Sequence, residues 1–199
     1  MSEETKIEEE QEKDEQFKDP NWLRKEIFSW IQTIVVAFLI AFVVNNYVIV
    51  NATVPTGSME PAIRPKDRIM ANRWSYFKKS PQRGDIVVFP FPDEPEVLYV
   101  KRIIGLPGET VAIYDGKVFI NDSELILSEP YLNEPMRGTF GPYEIPQGSY
   151  FMLGDNRNYS KDSRDWNTSF VKEEDIIGKV FLKYFPRIQW MANHVNYTS

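Results

Sequence analysis

Two hydroxyl side chains, Thr56 and Ser58, lie two residues apart in the segment Pro55–Ile63, which reads PTGSMEPAI. Pro55 and Pro61 disfavour a helix or a central strand, so we expect Ser58 in a stiff, exposed turn where its hydroxyl is available as a nucleophile. In an extended backbone, residues two apart point to the same side, which makes the Thr56 hydroxyl a candidate oxyanion donor. An ordinary turn with two solvated hydroxyls fits this nonapeptide equally well.

A serine nucleophile needs a general base, and the composition limits which residue types could be that base. The chain of 199 residues has no cysteine, which excludes thiol catalysis and thiolate metal sites, and its one histidine, His194, is close to the C-terminal end. A lysine whose pKa is lowered by burial could serve as the base. Lys101 fits best, because it lies in a strand-like stretch where it shares a face with Tyr99 and Ile103. A lysine at a sheet edge that reaches solvent is the alternative.

The elements that must position these residues begin with an uncharged segment. No charged residue occurs from Ile27 to Met59, and Ile34–Val44 is uninterruptedly apolar. As a helix, the 24 residues of Ile27–Val50 would extend about 36 Å, enough to cross a hydrocarbon core of about 30 Å. We therefore predict a transmembrane helix over 27–50, with Trp22 and Trp30 marking one interface.

Two other interpretations of this segment are open. A cleavable signal peptide would have a short, basic flank, whereas this flank is long and acidic, although residues 50–52 resemble a cleavage site. A helix buried in a soluble core would not need to be apolar on every face. Arg24 and Lys25 next to the N-terminal end favour a cytoplasmic N-terminus.

Residues 1–20 form an acidic tail. They include nine acidic residues and three lysines, so the tail carries the equivalent of the whole net charge of -6. A segment with so few apolar side chains cannot offset its ordering entropy, and we predict a disordered tail. The balance of charge in the remainder does not suggest a nucleic-acid surface.

After Ser58 the pattern changes to short apolar runs separated by turn residues. Asp115-Gly116 between two such runs predicts a hairpin inside a small insertion over 109–147, and a dense polar loop over 154–166 follows the next run. These features predict a mainly β fold. The predicted strands are 68–74, 85–91, 97–104, 111–113, 117–120, 149–153 and 175–185.

The sequence resembles the bacterial type I signal peptidases, also called leader peptidases, of the short single-anchor kind typical of Gram-positive organisms. Five blocks follow the anchor in the order of that family and cover nearly the whole chain after the tail. They are PTGSMEPAI, DRIMANRW, RGDIVVF, VKRIIGLPGE and GDNRNYSKDSRDW. Five blocks in one order are a specific resemblance, whereas a single Gly-Ser-Met would not be.

The resemblance implies roles for individual residues. Ser58 matches the nucleophile, Lys101 the general base, and Thr56, with the Ser58 backbone N–H, the oxyanion hole. Ser160 matches a hydroxyl that orients the lysine ammonium. Three more positions match supporting charges of the same loop: Asp155, Asp162 and Arg164. Six positions match the lining of shallow pockets for small substrate residues: Val54, Pro55, Met59, Ile63, Tyr99 and Val100.

The fold that the resemblance implies is an antiparallel-sheet catalytic domain, made of 51–108 and 148–199, with a small inserted β-hairpin subdomain over 109–147 and one N-terminal transmembrane helix. The implied reaction is removal of signal peptides from exported preproteins by cleavage after Ala-X-Ala sites, outside the cell membrane. We expect a monomer that needs neither metal nor organic cofactor and binds signal peptides and the lipid bilayer. A catalytically inactive, membrane-anchored β module that binds partners is the alternative.

Overall fold

The computed structural model of the chain describes residues 20–121 and 126–191. The chain divides after Asn46 into two compact units, an N-terminal helical unit and a β unit. The predicted acidic tail, except for its last residue, and His194 lie outside the described residues. The division of the chain into an anchor, a catalytic domain and an inserted subdomain stays a prediction.

The N-terminal unit contains one α-helix, α1, over Trp22–Val43, and it continues as a π-helical turn over Val44–Val48. Within the described residues, this is the one helix long and apolar enough to cross a membrane. It ends earlier than the predicted span over 27–50, because Ile49–Thr53 forms the first strand of the β unit. Val50 is buried in the β core and pairs with Ala71, so it belongs to the sheet.

The β unit contains strands in two sheets, and all the pairings are antiparallel, which confirms the predicted mainly β fold. The larger sheet has the order β1-β2-β10-β3-β4-β8-β9, with β11 beside β10, and the smaller has the order β6-β5-β7. The strands are β1 Ile49–Thr53, β2 Arg68–Asn72, β3 Ile86–Phe91, β4 Glu94–Gly105, β5 Thr110–Tyr114, β6 Lys117–Ile120, β7 Phe140–Glu144, β8 Ser149–Leu153, β9 Val171–Lys172, β10 Gly178–Phe185 and β11 Gln189–Trp190.

Side-chain hydrogen bonds explain where one strand stops short of its predicted end. The strand predicted over 68–74 ends at Asn72, whose side chain accepts a hydrogen bond of 2.9 Å from Trp74 N and starts a 3₁₀ turn over Arg73–Tyr76. Pro90 lies in β3 beyond the two residues that pair with β10, so its missing N–H leaves no gap in that ladder. Pro90 is therefore tolerated in β3, where it pairs only with Leu98 of β4.

The predicted hairpin joins β5 to β6. Asp115 and Gly116 at its turn have φ of 48° and 75°, the positive values that a tight two-residue turn needs. The small sheet packs on the large one through a shared apolar cluster. That cluster includes Val111, Ile113 and Val118 from the small sheet and Ile104, Phe151 and Leu153 from β4 and β8.

The position of Val50 generates a prediction about stability. Val50→Ala removes two methyl groups from the β core and should lower the free energy of unfolding by about 2 kcal/mol. Val44→Ala, six residues earlier on an exposed face, should leave it nearly unchanged. Urea unfolding of the detergent-solubilised full chain, followed by tryptophan fluorescence, measures both. Equal effects would mean that Val50 is not part of the β core.

Candidate active site

Ser58 lies in a turn that two other segments of the β unit hold in place. Glu60 N donates to Gly57 O over 3.1 Å within the turn. Asn156 donates twice from the opposite loop, from its backbone N to Ser58 O and from Nδ2 to Gly57 O, each over 3.0 Å. The Ser58 side chain is half-buried, and Thr56 Oγ1 lies 3.4 Å from Ser58 Oγ. The backbone of the nucleophile turn is thus fixed, while the hydroxyls face a groove.

Lys101 reaches Ser58 from strand β4. Its Nζ lies 2.6 Å from Ser58 Oγ, and only 3% of the residue is exposed. Burial lowers the pKa of Lys101 to about 8. The carboxylates of Asp162 and Asp155 oppose this shift, and the positive charge of Arg164 adds to it. About half of the Lys101 side chains are therefore neutral at a mildly alkaline pH. Among the described residues, Ser58 supplies the one hydroxyl that is hydrogen-bonded to the Lys101 amine.

The polar loop after β8 supplies carboxylates that are matched by guanidinium groups. Asp155 accepts hydrogen bonds of 2.7 and 2.6 Å from Arg102, the residue after Lys101. Asp162 is fully buried and accepts from Arg164 over 2.7 and 2.9 Å, and from Gly154 N over 3.0 Å. The two carboxylates that raise the pKa of Lys101 are thus each paired with an arginine.

Ser160 and Gly154 meet behind Ser58. Ser160 Oγ is buried and has no hydrogen-bond partner among the described residues. A Cβ placed on Gly154 would lie 2.1 Å from Ser160 Oγ and 2.4 Å from Ser58 O, so glycine is required for this approach. The orienting role predicted for Ser160 stays a prediction, since its hydroxyl bonds to no described group.

An open groove of about 570 Å³ runs from Ser58 and Lys101 along two strand edges. Of the predicted pocket residues, four line it: Val54, Pro55, Tyr99 and Val100. The other two, Met59 and Ile63, are fully buried and pack in the core with Val54. Sequence spacing alone could not separate the surface of the groove from the layer beneath it. Other residues of its lining were not predicted, among them Ala52, Thr53, Val88, Val97, Leu98, Tyr159 and Lys161.

Several residues that shape the site were missed by the sequence analysis. Arg102 bonds Asp155, Asn156 holds the Ser58 turn, and Arg157 is buried against Glu129. The density of polar residues in the 154–166 loop indicated a special region. The partners 28 to 99 residues away gave no local pattern that could have identified them.

Within the described residues, no group of three or more His, Asp or Glu side chains is arranged to hold a metal ion. The groups that the site does contain are the Ser58 hydroxyl, the Lys101 amine with its lowered pKa, and two ion pairs between carboxylates and arginines.

Comparison with known proteins decides the family. The family model for signal peptidase, peptidase S26, matches residues 27–185. The chain belongs to the signal peptidase family, peptidase S26. It is thus a serine-type peptidase of the signal peptidase I class, anchored in a membrane.

Individual relatives agree with this family. The chain is 36% identical to a probable signal peptidase I-2 of Synechocystis over 79% of this chain and 74% of the relative. It is 32% identical to signal peptidase IB of Staphylococcus aureus over 86% and 96%, and 33% identical to signal peptidase I of Bacillus licheniformis over 82% and 91%. A crystal structure of a signal peptidase I from Enterococcus faecalis is 39% identical, with a TM-score of 0.44, over 51% of this chain and 97% of that one.

The close packing around Gly154 generates a prediction for this signal peptidase. Gly154→Ala forces Ser160 or the Ser58 carbonyl to move, and a displacement of about 1 Å should lower kcat/KM by about 10²-fold. Gly148→Ala is the control, because its Cβ meets nothing within 4 Å, although its positive φ costs some stability. Cleavage rates corrected for the folded fraction compare the two. Equal rates would show that the approach of Gly154 does not constrain the site.

Proposed function

We propose that this chain removes N-terminal signal peptides from exported preproteins, with Ser58 as the nucleophile and Lys101 as the general base. The observation that carries the proposal is the separation of 2.6 Å between Lys101 Nζ and Ser58 Oγ, on a lysine shielded from water. The family and the names of the relatives support the substrate class.

The proposed reaction has two halves. Neutral Lys101 accepts the Ser58 proton while Oγ attacks the carbonyl carbon of the scissile bond. The C–N bond then breaks, and the lysine proton passes to the amine of the mature protein, leaving the signal peptide as an ester on Ser58. Neutral Lys101 next takes a proton from water, whose oxygen attacks the ester. The signal peptide leaves as a carboxylic acid, and Ser58 regains its proton.

Negative charge develops on the substrate oxygen during both attacks. We propose that the Ser58 N–H and the Thr56 hydroxyl stabilise it, because Thr56 Oγ1 is exposed in the groove and 3.4 Å from Ser58 Oγ. We assign Ser160 to orienting the Lys101 amine, since its buried hydroxyl has no hydrogen-bond partner among the described residues and is free to donate or accept one. Asp162, Arg164 and Asp155 support this arrangement from the same loop.

The groove suits an extended peptide. β1 is the terminal strand of its sheet, and the part of β4 before Arg102 pairs on one side only, with β3, in the described structure. Both strands border the groove, so a substrate segment can add as a further strand. Its apolar walls include Val54, Tyr99 and Val100, and we propose that they accept small side chains at the first and third positions before the cut, as in Ala-X-Ala.

The anchor is proposed to cross the membrane once, with its N-terminus in the cytoplasm and the β unit outside. Arg24 and Lys25 at the N-terminal end of α1 support this orientation, since basic residues are retained on the cytoplasmic side. Ser58 follows the last residue of α1 by only 15 positions. The nucleophile is therefore tethered close to the membrane from which a signal peptide emerges.

The decisive experiment is cleavage of a preprotein with an Ala-X-Ala site by the detergent-solubilised chain. Ser58→Ala should abolish cleavage with little loss of stability, because it removes one half-buried hydroxyl. Lys101→Arg should also abolish it, since a guanidinium keeps its proton. Lys172→Arg, at an exposed lysine of β9, is the matched control. Cleavage by the Ser58→Ala variant at the wild-type rate would disprove the proposal, and no cleavage by the wild type would favour a partner-binding module.

The buried amine also predicts the pH dependence. The neutral form of Lys101 is the active one, and burial lowers its pKa to about 8, so kcat/KM should rise with pH along a limb centred near 8 and level off above it. An unperturbed lysine would place that limb near 10.4. Initial rates measured between pH 6 and about 10.5 test this expectation. A limb near 10 would make Lys101 a structural cation.

A further inference from the structure

Arg157 is the largest fully buried side chain among the described residues, and groups from a distant segment hold it. Its guanidinium is paired with both carboxylate oxygens of Glu129, one of them at 2.7 Å, and donates to Tyr131 Oη over 3.2 Å. Tyr131 Oη in turn donates to Glu129 over 2.7 Å. Glu129 and Tyr131 lie between β6 and β7, more than 20 residues before the polar loop over 154–166. We call Glu129, Tyr131 and Arg157 the clasp.

The clasp touches the strand that carries the proposed base. The Arg102 guanidinium lies 4.0 Å from the centre of the Tyr131 ring, a cation–π contact. Arg102 follows Lys101 in β4 and holds Asp155 through two hydrogen bonds. Tyr131 therefore contacts Arg102 of β4 and Arg157 of the loop after β8.

The clasp also connects to the nucleophile turn. Arg157 Nε donates to Gly154 O over 3.1 Å, which ties the buried guanidinium to the start of the loop. Between these two residues, Asn156 donates to Ser58 O and Gly57 O. Gly154 itself packs against Ser58 O with no room for a side chain. A shift of Arg157 would therefore move the groups that fix the backbone of Ser58.

We propose that Glu129 and Tyr131 are positioning residues for the reaction: through Arg157 and Arg102 they keep Ser58 in contact with Lys101 and keep water away from that lysine. This inference rests on the proposed Ser58–Lys101 mechanism. It gives a function to residues 126–139, none of which lines the substrate groove.

The chemistry of the clasp favours a positioning function over a contribution to stability alone. Burial lowers the pKa of the Arg157 guanidinium, but the Glu129 carboxylate and its hydrogen bonds raise that pKa above its ordinary value, so the ion pair persists. A buried ion pair is weak evidence for stability, because apolar side chains of similar volume often serve as well. Paired hydrogen bonds between a guanidinium and a carboxylate do fix orientation.

The pH profile gives a readout that loss of folded protein would not change. Lys101 faces Ser58 from the nucleophile turn, the Tyr99 ring on its own strand, and Asp155, Asp162 and Arg164 from the loop after β8, while its partner in β3 is the uncharged Val87. Burial is the largest influence on its pKa. A loosened clasp admits water, so the pKa of Lys101 rises and the activity limb moves to higher pH.

The test uses Glu129→Gln and Tyr131→Phe in the full-length, detergent-solubilised chain. These changes keep the shape of each side chain. Glu129→Gln removes the negative charge but keeps one oxygen as an acceptor for Arg157, whereas Glu129→Ala would remove both acceptors and leave a cavity that threatens folding. The matched controls are Glu144→Gln and Tyr114→Phe, the same chemical changes at exposed positions of the small sheet. Cleavage of the Ala-X-Ala preprotein is measured across pH, together with urea unfolding.

We expect Glu129→Gln to lower kcat by about tenfold or more, with KM within about twofold and the limb about one pH unit higher. Tyr131→Phe should lower kcat and raise the pH of the limb by smaller amounts. The control variants should match the wild type in both quantities. A wild-type limb in both clasp variants, or a loss explained by the unfolded fraction alone, would overturn the positioning function. Failure of the Ser58–Lys101 mechanism is distinguished by Lys101→Arg, which would then remain active.

Discussion

In the mechanism we propose, the Lys101 amine must lose its proton, so it has to be kept from water, and the contacts around it meet this constraint. The Lys101 side chain extends from a central strand into a buried position beside Ser58. Two carboxylates nearby would by themselves favour the ammonium, so their effect has to be limited. Arg102 and Arg164 do this by sharing those charges in hydrogen-bonded pairs, and Arg164 adds a positive charge that disfavours protonation of the lysine. Both arginines therefore help to maintain the environment of Lys101 on which the proposed mechanism depends.

Local patterns predicted much of the fold. The Asp115-Gly116 turn, the strand over 149–153 and the presence of one long apolar helix each depend on neighbours in sequence, and the structure bears them out. The end of that helix did not follow from the sequence, because Ile49 and Val50 are as apolar as the membrane segment before them. Only their pairing with Ala71 and Asn72 shows that they belong to the sheet.

For the candidate site, too, some features could be predicted from the sequence and others could not. The hydroxyl types near Ser58 and the placing of Lys101 in a strand were enough to suggest a pair, and the structure brings the two side chains into hydrogen-bond distance. The depth of a residue was not accessible from sequence, which is why Met59 and Ile63 were expected in the groove and lie in the core. The contact between Glu129 and Arg157 joins a region without periodicity to a polar loop, and no propensity encodes such a contact.

Strands β4 and β8 are neighbours in the large sheet, so the chain leaves the sheet after Gly105 and returns to the adjacent position at Ser149. Segments inserted between neighbouring strands can grow or shrink during evolution without displacing either strand. The segment from Glu129 to Tyr131 is an exception to that freedom, since a buried arginine depends on it. A descendant that lost this carboxylate would have to replace the arginine or provide a substitute acid. Among proteins that share an ancestor with this chain, an acid at position 129 and an arginine at position 157 should therefore occur together or be absent together.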